Sequence, residues 1–375
     1  MPPLPEPGKD ALAHSERLQA LIRKRIADEG GWISFSDYMR LALYAPGLGY
    51  YSAGAVKFGE EGDFVTAPEI SSLFGKTLAR FASAWLAANP DKDILELGAG
   101  TGKLACDFLK DIENPPRNYF ILEVSADLRK RQEENLQGLP VTWIEALPEH
   151  FEGIVIANEV LDAVPCHVVC WQEGGMAERG VSVREGQFVW QDMPLEKGRL
   201  FEAARRIDVQ PGYVSEIQIE AQALVARLAD MLKMGILLFI DYGFGRREYY
   251  HPQRNQGTLM CHYRHHAHGD PFLFPGLQDI TTHIDFSSIA ETGIDSGLQF
   301  AGYTNQANFL IHCGITELLA QVSPENPQAY LPLSNALQKL VSPAEMGELF
   351  KVMGFCRETV INSSCFSLGD KSRLL

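Results

Sequence analysis

Apolar residues recur along this chain with two alternating periods. Near the amino terminus Leu18, Leu21, Ile22 and Ile26 stand at helical spacing, predicting a helix over Leu12–Glu29 that Gly30-Gly31 ends. Ser36 is expected to cap a second helix to Tyr44, before Pro46-Gly47. A glycine- and tyrosine-rich loop, Gly47–Gly62, then precedes a long helix reaching Ala88. From Asp91 the rhythm becomes strand, glycine turn, helix. Strands are expected over Asp93–Leu97, Tyr119–Val124, Val141–Ile144 and Ile154–Ala157, with helices over Lys103–Asp111 and Ala126–Leu136. Short strands alternating with helices predict an α/β fold with a parallel sheet covered on both faces. Cys166–Trp171 and Val181–Trp190 alternate apolar and polar around Gly174-Gly175, as antiparallel strands do. A helix over Ile219–Lys233 feeds the most apolar strand, Ile236–Ile240, and a histidine- and proline-rich loop, Tyr250–Pro275, follows. Asp285 is read as the cap of a helix to Thr292, Leu298–Ala301 as a strand, Asn308–Val341 as mostly helical and Cys356–Ile361 as the last strand.

Composition narrows the function classes. A chain of 375 residues, 46% hydrophobic and 22% charged, has the makeup of an ordinary globular protein. No apolar run approaches the ~18–20 residues of a membrane span. Thirty-three basic against 48 acidic residues leave a net charge of −15, which disfavours nucleic acid and suits a cationic partner. The seven cysteines are scattered without a C-x-x-C pair, so neither a zinc ribbon nor a disulfide framework is indicated, and a reducing compartment is expected. Met1–Asp10 is proline-rich and lacks the layout of a secretory or organellar leader, so a cytosolic location is expected.

The strongest local signal is Ile94-Leu95-Glu96-Leu97-Gly98-Ala99-Gly100-Thr101-Gly102-Lys103, an apolar strand running into glycines at alternate positions and then a helix. Such a turn brings a ligand against the main chain. A dinucleotide asks for G-x-G-x-x-G, but here Lys103 takes the place of the third dinucleotide glycine. Glu96 would repel a diphosphate and attract an ammonium or sulfonium. Glu123 ends the next strand, where a carboxylate can accept both hydroxyls of a ribose. A cationic centre, a ribose and no phosphate describe S-adenosylmethionine, with Glu96, Gly98, Gly100 and Glu123 as cofactor-binding candidates. A nicotinamide-dependent oxidoreductase is the least favoured reading.

Asn158-Glu159-Val160-Leu161-Asp162-Ala163-Val164-Pro165 follows the fourth strand of this array. Asn158 can bond an amino-acid moiety, while Glu159 and Asp162 add negative charge. These residues, with Gly62-Asp63-Phe64-Val65-Thr66-Ala67-Pro68-Glu69-Ile70-Ser71, the glycine turn, Gly257-Thr258-Leu259 with Tyr263, and Asp279-Ile280-Thr281-Thr282-His283-Ile284-Asp285-Phe286, resemble the MidA family. The resemblance implies a class I S-adenosylmethionine-dependent methyltransferase with a Rossmann-like sheet, a helical amino-terminal segment and insertions. It places a helical segment with a cofactor-covering loop at 1–90 and the Rossmann-like domain at 91–375. That domain carries a β-rich insertion at about 166–215 and a helical one at about 305–345. It also implies that Gly62, Thr66, Pro68 and Glu69 pack over the cofactor, and that the acceptor is arginine of a protein, with a respiratory-complex subunit as one such partner. Small-molecule methylation and an assembly chaperone with weak catalysis are the alternatives; oligomeric state, a homodimer included, stays open.

Arginine is a poor nucleophile because its guanidinium stays protonated and delocalised. Carboxylates gripping its other nitrogens would localise a lone pair on the attacking one, which makes Glu159, Asp162 and Glu69 catalytic candidates. His283 could take the released proton. His262, His265, His266 and His268 are read as a solvated loop and not as a metal site, since methyl transfer requires no metal. Tyr50, Tyr51, Tyr242, Tyr249 and Tyr250 are candidates for an aromatic mouth around a cation.

Overall fold

The computed structural model describes residues 4–52, 65–361, 364–367 and 369–375. The chain forms two compact units, one from 1–64, 162–223 and 246–285, the other from 65–161, 224–245 and 286–375. The 166–215 stretch lies in the first unit and 305–345 in the second.

The second unit is an α/β layer structure. Its strands β1 (Asp93–Leu97), β2 (Tyr119–Leu122), β3 (Val141–Ile144), β4 (Phe151–Asn158), β5 (Leu232–Phe244), β6 (Gln299–Asn305) and β7 (Phe350–Arg357) lie in the order β3-β2-β1-β4-β5-β7-β6. β1 to β5 are mutually parallel, and β7 runs antiparallel to both its neighbours. β1 is buried at every residue and β4 and β5 at most, because helices cover both faces; their sequences therefore read as apolar runs. Among those helices are α1 (Ser72–Ala88), α2 (Lys103–Asp111) and α3 (Ala126–Asn135). Phe74, Phe81 and Trp85 of α1 and Phe108 of α2 share one core with Ile94, Ile121 and Ile156 of the sheet. Strand order reverses between β1 and β4, so a crevice is expected beyond their carboxyl ends.

The opposite edge of the sheet is clamped. Arg117 donates to both carboxylate oxygens of Asp93, at 3.0 and 2.5 Å, and Asn118 donates to the same group at 2.9 Å. Gly153 and Gly235 stand in register beside it. A Cβ on Gly153 would fall 1.8 Å from the Asp93 carbonyl oxygen, and one on Gly235 1.8 Å from that of Gly153. Here the strands approach closer than any side chain permits.

The first unit contains helices Lys9–Asp28 and Phe35–Tyr44 and an antiparallel sheet with strands Trp32–Ser34, His167–Gln172, Gly175–Arg184, Gln187–Leu195 and Val214–Ile217. Several local expectations are corrected. Val181–Trp190 is not one strand: Glu185 and Gly186, both left-handed (φ 50° and 79°), turn it into a tight hairpin with Arg184 facing Gln187. The expected loop Tyr250–Pro275 contains a second hairpin, Met260–Tyr263 with His266–His268, turned at the left-handed pair Arg264-His265. The second helix is capped by Ser34, whose hydroxyl accepts from the Asp37 N–H at 3.0 Å; Ser36 instead donates to Glu220 at 2.6 Å. The last strand lies at Phe350–Arg357, not Cys356–Ile361, because Glu358 turns left-handed (φ 49°) and ends it. Helix Ala126–Asn135 and the neighbouring strand starts match their expected positions to within a few residues.

His167 is held between two carboxylates of this unit, Nδ1 at 2.6 Å from Glu178 and Nε2 at 3.3 Å from Glu220. Burial pulls its pKa down, but the two acids outweigh it and push it up to about 9. A histidine raised in this way stabilises the fold fully below its unfolded value of 6.5, and loses that contribution as pH rises through about 9. His167→Gln is therefore expected to cost about 2–3 kcal/mol at neutral pH and almost nothing at about pH 10, measured by urea unfolding. An equal cost at both pH values would show that the charge is not what the triad contributes.

Candidate cofactor site

β1 delivers the chain into a turn in which Gly98, Gly100 and Gly102 all take left-handed φ, 61°, 55° and 83°. A Cβ on Gly100 would meet nothing within 4 Å, so conformation and open space, not packing, ask for glycine there. The Gly98 N–H still donates to the Leu122 carbonyl at 3.0 Å, tying the turn to β2, and Gly102 opens α2.

Glu123 follows β2 directly. Its carboxylate accepts from the Ser125 N–H at 2.8 Å and from the Gln132 amide at 2.9 Å. The same Gln132 nitrogen donates to the Gly100 carbonyl at 2.9 Å, and its oxygen accepts from the Trp143 indole N–H at 2.9 Å. An indole N–H only donates, so the amide has one orientation open to it. Asn135, one turn on, donates to the Thr101 carbonyl at 2.9 Å. One face of α3 thus grips the glycine turn and Glu123 together.

Glu96 is buried within β1 and accepts from the Tyr119 hydroxyl at 2.6 Å. Burial raises its pKa to about 7; the Tyr119 hydrogen bond opposes this and the nearby charge of Glu123 adds to it. Asn158 is the last residue of β4. Glu159 then takes a left-handed φ of 52°, held by its N–H on the Ile240 carbonyl at 2.8 Å. Asp241, buried at the end of β5, accepts from the Leu161 N–H at 2.9 Å and so fixes the far side of the same turn. The Glu159 carboxylate accepts from the Asn158 amide at 3.1 Å and the Ala67 N–H at 3.3 Å. Asn158 Oδ1 is a buried acceptor with no hydrogen-bond partner among the described residues.

Thr66 precedes the short helix Ala67–Ile70, which carries Pro68 at its start. The Thr101 hydroxyl donates to Glu69, so this segment touches both Glu159 and the glycine turn. The second unit therefore gathers Thr66, Pro68, Glu69, Glu96, Gly98, Gly100, Glu123, Asn158 and Glu159. Gly62 lies outside the described residues. Asp162 and His283 belong to the first unit, where the Thr282 N–H donates to the Asp162 carbonyl at 3.0 Å. The main chain of His283 is pinned at both ends there, its N–H by the Thr258 hydroxyl at 3.1 Å and its carbonyl by Gln218 at 2.5 Å. The tyrosines form separate pairs: Tyr50 against Tyr51 and Tyr249 against Tyr250 in the first unit, while Tyr242 packs on Phe350 in the second. Among the described residues no three His, Cys, Asp or Glu side chains are grouped to hold a metal ion.

Sequence reasoning passed over Gln132 and Asp241. A signal existed for the first: Leu128, Gln132 and Leu136 form an i, i+4, i+8 stripe, and a polar residue on a buried stripe needs partners.

Residues 77–304 match a family described as putative S-adenosyl-L-methionine-dependent methyltransferases. The chain belongs to that family. It is 50% identical to a protein from Burkholderia thailandensis whose crystal structure holds S-adenosyl-homocysteine, with a TM-score of 0.94 over the whole of both chains. Curated relatives include the mitochondrial protein arginine methyltransferase NDUFAF7 of Danio rerio, 30% identical over 89% of this chain and 85% of the relative. The Drosophila melanogaster homologue is 28% identical over 94% and 88%. As the resemblance implied, the fold is that of S-adenosylmethionine-dependent methyltransferases, and this protein is one of them. Among the described residues no helix of this methyltransferase is long and apolar enough to cross a membrane.

A carboxyl whose folded pKa exceeds its unfolded value binds its proton better in the fold. The contribution of Glu96 to stability is thus complete below about 4.5 and disappears as pH rises through about 7. Glu96→Gln, which keeps the bond to Tyr119, is expected to flatten the decline in unfolding free energy between about pH 5 and pH 8 by on the order of 2–3 kcal/mol. An unaltered slope would place the charge of Glu96 in a solvated setting.

Proposed function

We propose that this methyltransferase modifies arginine side chains of a protein partner and that the gathered residues of the second unit hold its cofactor. The observation that carries the reading is a pair of carboxylates, Glu69 and Glu159, fastened to the segment 66–70 and the glycine turn. Acids in that position attract a cationic acceptor and do not suit an anionic one. The net charge of −15 favours a basic partner, and the curated relatives bear the name of protein arginine methyltransferases. A respiratory-complex subunit, the partner implied by the family resemblance, is the first to test.

The residues fit S-adenosylmethionine. Glu123 is a carboxylate fixed at the carboxyl end of β2, where a ribose would lie, Gly100 leaves room against the main chain, and Asn158 Oδ1 is a buried acceptor suited to an ammonium donor. When bound, the cofactor supplies a methyl group carried on a sulfonium. Glu159 and Glu69 grip the guanidinium nitrogens that do not react, orienting the third and stabilising charge as it redistributes. Thr66 and Pro68 cover the cofactor and exclude water, and Glu96 is a buried carboxyl in the strand that leads to the glycine turn. For Asp162 and His283 the proposal rests on residue chemistry: a further carboxylate, and an imidazole able to take the released proton.

Incubation with labelled cofactor and cell lysate is expected to label a protein band that yields methylarginine on acid hydrolysis. Label confined to small molecules would overturn the acceptor assignment. Glu159→Gln is expected to lower kcat by about 100-fold or more while S-adenosyl-homocysteine affinity stays within a few-fold. An undiminished kcat would remove Glu159 from the chemistry. Gln132→Ala should weaken S-adenosyl-homocysteine binding about 10-fold in calorimetry, since it releases Glu123 and the turn at once. Unchanged affinity would deny that amide its positioning role.

A further inference from the structure

The second unit also holds a cavity of about 360 Å3, lined among others by Arg80 and Trp85 of α1, Ile236 of β5, and Cys313 and Cys365. Cys313 ends the helix Gln306–His312, and Cys365 lies in the short helix Ser364–Ser367. Each thiol is buried in the same apolar core, and both border the cavity. Elsewhere burial pushes the thiols of Cys166, Cys170 and Cys261 up and keeps them protonated. Cys365 departs from that pattern. The neighbouring Cys313 thiol lowers its pKa, against the opposing effect of burial, and Ser364 adds to the lowering. Cys313 is raised by the neighbouring Cys365 sulfur and by burial, while the Arg80 guanidinium pulls the other way. Arg80 is anchored on the Gly314 carbonyl at 3.1 Å, so its charge is fixed one residue from Cys313.

We propose that Cys313 and Cys365 form a dithiol site that a peroxide converts to a disulfide, joining the two short helices. The pair has the division of labour such a reaction needs: one sulfur eased towards thiolate and one protonated thiol beside it. The Cys365 thiolate gives an electron pair to one peroxide oxygen, the O–O bond breaks, and the hydroxide that leaves takes up a proton. Cys313 sulfur then attacks the sulfenic sulfur, the S–O bond breaks, and the departing hydroxide takes the Cys313 proton. Two thiols are oxidised by two electrons and the peroxide is reduced to two waters. The cavity admits an oxidant barely larger than water. This site is independent of the methyl-transfer reading.

The test is to treat the folded full-length protein with hydrogen peroxide, then denature it and alkylate it without reductant. Of the seven thiols, two are expected to resist alkylation, with a non-reduced peptide linking Cys313 to Cys365. Cys313→Ser should lose the linkage and accumulate sulfenic acid at Cys365, trapped by dimedone; Cys365→Ser should lose both. Seven alkylated thiols after peroxide, or a linkage between other cysteines, would overturn the proposal. Because the linked peptide is sought in the unmodified chain, failure of either variant to fold leaves the result decisive.

Discussion

One side-chain amide holds the candidate site together. Trp143 can only donate, so Gln132 must present its oxygen to β3 and both hydrogens of its nitrogen to the Gly100 carbonyl and Glu123. A glycine turn has no side chains with which to fix its own shape, and an acid at a strand end has several rotamers. Gln132, fully buried on α3, removes both freedoms with one group. The cost of ordering the site is thus met during folding and not on ligand capture.

A similar economy governs the other strand ends. Glu159 occupies a backbone conformation that glycine would adopt more easily. The Ile240 carbonyl and the Asp241 carboxylate hold the turn on either side of it. Strain of this kind persists where the surroundings over-determine it, and its position beside Asn158 marks a place where the chain keeps a carboxylate at conformational expense. At the opposite edge, the Asp93 clamp and the close approach at Gly153 and Gly235 keep β1, β4 and β5 in register, so that their carboxyl ends arrive level.

Much of this was legible in the sequence, for reasons specific to each element. β1 and its turn announce themselves because an apolar strand and spaced glycines are local features. Glu123 and Asn158 became candidates because each stands at the carboxyl end of an apolar run. The hairpin at Glu185-Gly186 was hidden because alternation continues straight through its turn, and a two-residue turn disturbs the pattern too little to be seen. β7 was displaced because its limits are set by pairing with β5 and by a left-handed Glu358, neither a local property. Asp241 escaped notice for the same cause: its partner is a main-chain N–H 80 positions away.

The chain passes between its two units at 64/65, 161/162, 223/224, 245/246 and 285/286. No single cut releases either as a continuous piece of polypeptide. Gene fusion or truncation that treats one as a detachable cassette would sever the other, so the pair is inherited as an indivisible whole. Ribosomal synthesis meets the same interlacing. Neither unit can close until its final stretch has emerged, which for the one bearing the glycine turn is the carboxyl-terminal ninety residues, 286–375.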